Sequence, residues 1–185
     1  MKRVIKVLLL AVCCLPPSMA FAQMGTEQSR NSLTSIHGFY VQVDVEGSVG
    51  LTSDEQLNAS AINQRVKNRL RAAGLNVLEP TEVLDQPTEP YLYVHINMME
   101  LDGGMVPFST NLQFFQRVEL PGRKRKQSLI ACTWDTGVVG LVYFNSLNWI
   151  PESTDELVNE FIADFQLVNP YTSDTQYCLD RGRTI

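Results

Sequence analysis

The chain has two histidines, His37 and His95, and an imidazole is the side chain best suited to general acid–base work near neutral pH. His95 stands in Tyr93-Val94-His95-Ile96-Asn97, on the same parity as Tyr93 and Asn97. Asp135, in Trp134-Asp135-Thr136-Gly137, is the carboxylate that could join His95 in a hydrolase-type site, although an acid at a strand end more often initiates a turn. His37 precedes the first alternating segment and is expected to cap or end it. No H-x-x-x-H, C-x-x-C or clustered carboxylate spacing offers a metal site. No G-x-S-x-G elbow, Ser-x-x-Lys pair or phosphate-cradling glycine loop offers a nucleophile or a nucleotide site. Catalytic residues, metal and cofactor are therefore all read as none. Asn58-Ala59-Ser60 matches a glycosylation sequon but falls where a helix is expected, which makes the match fortuitous.

Binding is better supported than catalysis. Tyr40, Gln42, Tyr93, His95, Asn97, Gln113 and Phe115 all fall on the polar parity of alternating segments, yet several are aromatic, which marks a candidate recognition face. The run Arg123-Lys124-Arg125-Lys126 follows Pro121-Gly122 and reads as a charged hairpin tip. Its four cations suit weak contact with an anionic surface such as lipid headgroups, phosphates or an acidic protein.

The first 22 residues bear on compartment. Lys2, Arg3 and Lys6 give a positive start, Val7 to Leu15 is an apolar run, and Ser18-Met19-Ala20-Phe21-Ala22 ends in the small-x-small pattern of a cleaved secretory signal. The mature chain is expected to begin near Gln23, periplasmic or secreted. The apolar run is far short of the roughly 20 residues that span a bilayer, and no later run reaches that length, so no transmembrane segment is expected after processing. Cys13 follows Val12 rather than a small residue, which argues against a lipid-modified cysteine. Losing three cations takes the formal charge from −5 to −8, which excludes general nucleic-acid binding. Cys132 and Cys178 are then the remaining thiols, in an oxidising compartment, and a disulfide between them is expected. The alternative is one thiol in the domain and one in the tail that never meet. A bridge would close a loop of about 47 residues and stabilise by about 4 kcal/mol in the chain-entropy account.

The elements that must position these residues follow from periodicity. Residues 23–35 are polar without periodicity and are expected to form a flexible lead. Phe39, Val41, Val43 and Val45 alternate with polar residues, as in a half-buried strand. Thr52 with Glu55, or Ser53 with Gln56, matches a capping box. Leu57, Ala61, Ile62, Val66, Leu70 and Ala73 recur at helical spacing up to a left-handed Gly74. Leu75 to Leu78 is expected as a short strand before a proline-containing loop. Leu92, Val94, Ile96 and Met98 alternate again, and Asp102-Gly103-Gly104 turns the chain. Leu112, Phe114, Val118 and Leu120 carry the next strand, and Leu129 to Trp134 the one after. Gly137 and Gly140 suggest a loop or bulge before Leu141 to Phe144. Ser153 and Glu156 form a second capping box, ahead of a helical stripe of Leu157, Phe161, Phe165 and Val168 that Asn169-Pro170 ends. The expected fold is α+β in the order β-α-β-β-β-β-α, a mostly antiparallel sheet with two helices on one face. A single domain over residues 36–170 and a tail over 171–185 complete the layout.

Gly38-Phe39-Tyr40-Val41-Gln42-Val43, Leu70-Arg71-Ala72-Ala73-Gly74-Leu75, Tyr91-Leu92-Tyr93-Val94, Thr133-Trp134-Asp135-Thr136-Gly137 and the run from Phe161 to Pro170 together resemble an uncharacterised family of small exported bacterial proteins. The resemblance covers about residues 36–170 and implies a periplasmic α+β domain. In topology alone the element order is similar to the N-terminal domain of TolB and to the lipopolysaccharide-assembly lipoprotein, modules that bind rather than catalyse. The function expected on these grounds is a non-catalytic periplasmic binding or envelope-assembly module acting through an open sheet face, its partner an envelope protein or component. The alternatives are an exported hydrolase-type enzyme using His95 and Asp135, or a carrier of a small apolar ligand.

Overall fold

The computed structural model describes residues 23–79, 90–120 and 128–170. The segment read as a signal, the expected loop with its prolines, the expected tip at residues 123–126 and the tail with Cys178 lie outside the described residues. The fold is α+β, as expected. Its four-stranded sheet runs in the order β1-β2-β3-β4, with β1 Tyr40–Glu46, β2 Tyr91–Met98, β3 Met105–Glu119 and β4 Ser128–Tyr143. β1 and β2 are parallel, and the two later pairs are antiparallel. Helix α3 (Ala59–Ala72) lies between β1 and β2 in sequence, as a parallel connection requires. With α4 (Trp149–Val168) it covers the sheet face that carries Val41, Leu92, Val94, Ile96, Val106, Phe108, Leu112 and Phe114, all buried. The ring of Phe39 meets those of Phe114 and Phe161 edge to face, each at 5.5 Å, and Trp134 packs on Phe161 at 5.0 Å.

Residues 23–35 are not a loose lead. Gln23–Asn31 forms helix α1, and its docking supplies the order that the polar composition conceals. Leu33 is fully buried, Arg30 pairs with Asp164 at 2.6 Å, and Ser29 and Ser32 both donate to the Thr133 carbonyl. Asn169, at the end of α4, donates to the Leu33 carbonyl and accepts from the Ser35 amide. The lead is held by side chains distant in sequence, which no local periodicity registers.

Several boundaries also move. Neither Thr52 nor Ser53 caps the long helix. A short turn α2 (Val49–Thr52) comes first, and the cap of α3 is Asn58, whose side-chain oxygen accepts from the Ala61 amide at 2.9 Å. At the other end Gly74 has φ +83°, and the Leu75 amide reaches the Leu70 carbonyl, the Schellman closure that the glycine predicts. The expected strand at Leu75 to Leu78 is reduced to one bridge between Phe39 and Val77. α4 starts at Trp149 with Pro151 in its first turn, where a missing amide proton costs nothing, so Ser153 lies inside the helix and donates to the Ile150 carbonyl. At the far end of β3 the expected core positions outrun the helices, and Leu120 is exposed.

The largest departure is β4, which runs unbroken through Gly137 and Gly140 over 16 residues. The two strands expected there are one. The glycines mark close approach rather than a loop: a Cβ at Gly140 would come within 2.4 Å of the buried Phe108 ring, and one at Gly137 within 2.6 Å of the Asn111 amide oxygen. The irregularity falls instead at Phe114/Phe115, where Thr133 is the extra residue.

Candidate functional site

Parity and register together build a second sheet face, away from the helices. Its rows read Tyr40, Tyr91, Phe115, Cys132; then Gln42, Tyr93, Gln113, Asp135; then Asp44, His95, Asn111, Gly137; then Glu46, Asn97, Ser109, Val139. Tyr91 and Phe115 stack with ring centres 5.0 Å apart and planes 12° from parallel. Tyr93 meets Phe115 edge-on at 6.5 Å and stacks beside His95 at 5.9 Å. The rings are partly buried by one another while still facing solvent. One end of the face is thus aromatic and its middle is polar.

The Tyr93 hydroxyl donates to Asp44 Oδ2 at 3.3 Å, and burial followed by the Asp44 charge raises the phenol above its ordinary value of 10.0. Asn97 Nδ2 donates to Glu46 Oε2 at 3.3 Å. His95 Nε2 lies 3.6 Å from the same Glu46 oxygen, is shielded from solvent, and has no hydrogen bond among the described residues. Two carboxylates of β1 therefore line up with the tyrosine, imidazole and amide of β2. Sequence parity already put Tyr93, His95 and Asn97 on one face. It could not supply Asp44 and Glu46 as their neighbours, because that depends on the parallel register of β1 against β2. Tyr91 also belongs to the site, and its parity alone was the signal for it.

Asp135 does not join His95. It sits opposite Gln113, whereas His95 pairs with Asn111, so a whole strand separates them, about 10 Å at ordinary strand spacing. Among the described residues, no group of three or more His, Cys, Asp and Glu could hold a metal ion. His37 is exposed and serves through its carbonyl, which accepts from Asn76 Nδ2. Cys132 is an exposed thiol that donates to the Trp134 carbonyl at 3.3 Å; the disulfide expected between it and Cys178 involves a residue outside the described ones. Partial burial, then the Asp135 charge, push the thiol above its ordinary value of 9.0, so it is a weak nucleophile at neutral pH. Of the binding residues read from sequence, the structure gathers Tyr40, Tyr93, His95, Asn97 and Phe115 on one face, while Arg123, Lys124, Arg125 and Lys126 lie outside the described residues. No helix among the described residues is long and apolar enough to cross a membrane. No protein-family model matches this sequence, and no curated protein matches it.

Proposed function

We propose that the chain is an exported, non-catalytic binding or envelope-assembly module whose recognition surface is the helix-free face of its sheet. The observation that carries this reading is the ring cluster of Tyr91, Tyr93 and Phe115, standing on the solvent side beside His95 and Asn97. Rings already packed against one another lose little freedom when a partner covers them, which favours them as anchors. The carboxylates of Asp44 and Glu46 along the same face select against acidic partners and favour donors or cations. The basic run at residues 123–126 is a secondary contact for anionic surfaces. Export rests on the signal-like first 22 residues and on the resemblance to small exported proteins, with processing near Gln23 following from the small-x-small run Ala20-Phe21-Ala22.

The test compares Tyr93→Ala and Phe115→Ala with Val94→Ala and Phe114→Ala in affinity capture from a native envelope fraction. The first pair should fold and lose partner capture. The second pair removes fully buried side chains and should cost about 2–5 kcal/mol of stability. If the solvent-side variants fold and retain every captured partner, the face is not the binding surface.

A further inference from the structure

β4 is an edge strand of 16 residues, and its stretch from Thr136 to Tyr143 contains neither a charge nor a proline. Long, uncharged edges invite another strand, and proteins that keep them free usually blunt them. The opposite edge, β1, has seven residues and carries Asp44 and Glu46. On β4 the outward side chains Val139, Leu141 and Tyr143 are 82%, 60% and 60% exposed.

The backbone of this edge has a definite polarity. The Phe144 amide donates to the Gly104 carbonyl, so the even-numbered residues of β4 face β3, and alternation turns the amides and carbonyls of Asp135, Gly137, Val139, Leu141 and Tyr143 to the free side. Pro107 fits this pattern, since its carbonyl accepts from Met99 on the β2 side. The open stretch is bounded. At one end α1 occupies the edge, with Ser29 and Ser32 bonded to the Thr133 carbonyl; at the other the chain leaves the strand at Phe144–Ser146. The midpoint of the remaining run, Asp135 to Tyr143, is Val139.

We infer that two copies of this chain pair antiparallel along β4 about a two-fold axis at Val139, joining their sheets into one of eight strands. Antiparallel pairing about that residue sets Val139 against its own copy, Gly137 against Leu141, and Asp135 against Tyr143. The branched side chain of Leu141 thus faces the residue with none, and a phenol donor comes beside a carboxylate acceptor. On the helix side the same register sets Val138 against Gly140. The two Asp135 carboxylates are kept at opposite ends of the seam, about 27 Å apart at 3.4 Å per residue. An isologous contact of this kind closes on itself and leaves β1 as both outer edges. A seam of this length is at the small end of specific interfaces, which begin at about 1,200 Å² in total, so a weak, concentration-dependent association is expected.

Sedimentation of the purified chain from about 1 to about 500 μM tests the pairing. A monomer–dimer equilibrium is expected, with Val139→Lys weakening it by at least about 100-fold because it brings like charges together on the axis. Gln42→Lys, on the far edge, should leave it unchanged. Because Val139 is so exposed, its replacement should leave the thermal transition in place. Should the variant nevertheless unfold, amide exchange of the wild-type chain decides: the Val139 and Leu141 amides must become protected as concentration rises. A monomer throughout the range overturns the inference. A dimer indifferent to Val139→Lys, or amides whose exchange does not change with concentration, also overturns it.

Discussion

Asp155 shows how much a single side chain can carry without any motif to announce it. The carboxyl is buried between α3 and α4, accepts from Arg65 Nε and Nη2 at 3.0 and 2.7 Å, and accepts from Arg69 at 2.6 Å. Burial alone would raise its pKa, but the hydrogen bonds and charges of Arg65 and Arg69 outweigh this and hold it below the ordinary value of 3.8. A carboxyl with a lowered folded value contributes its full stability above the ordinary aspartate range and loses it as pH falls through the folded value. Both arginines are more than a third exposed, so solvent screens the cluster and its worth is about 1–2 kcal/mol. Asp155→Asn should therefore lower stability by that amount at pH 7 and show a shallower loss below about pH 4 than the wild type, as read by chemical denaturation across pH. Arg65 and Arg69 are spaced as one helical face, which is visible in the sequence; the acid they share is 86 residues beyond Arg69 and is not.

At the scale of elements, alternation and helical spacing were legible where one face is buried and the other wet. β2 and the stripe Ile62, Val66, Leu70 stand as expected because their burial follows their own periodicity. Elements whose order comes from distant partners were not legible. α1 is polar and aperiodic, and what holds it is Leu33, Arg30 to Asp164, and Asn169. The glycines of β4 mislead in the opposite direction, since they permit a strand closely approached by the Phe108 ring at Gly140 and by the Asn111 amide at Gly137. This gives a direct prediction: Gly140→Ala should destabilise the fold by about 1–3 kcal/mol, because the added methyl would force the buried Phe108 ring to shift. Thermal unfolding checks it. A neutral or stabilising result would mean that the glycine serves flexibility rather than close packing.

For the whole molecule, placing α3 and α4 on one face leaves the other as a continuous surface, graded from stacked rings through carboxylates and amides to the apolar end at Val139 and Leu141. Parity identified the members of this face one strand at a time. Their arrangement into rows needed the strand order and register, which local sequence does not encode. The central claim is that this face, and not the helical side, meets the partner. A photo-crosslinking residue placed at Gln42, exposed on the open face, and separately at Glu156, exposed on α4, tests it in cells. Irradiation should give a discrete adduct with an envelope component from position 42 and none from position 156; adducts from position 156 alone would contradict the account.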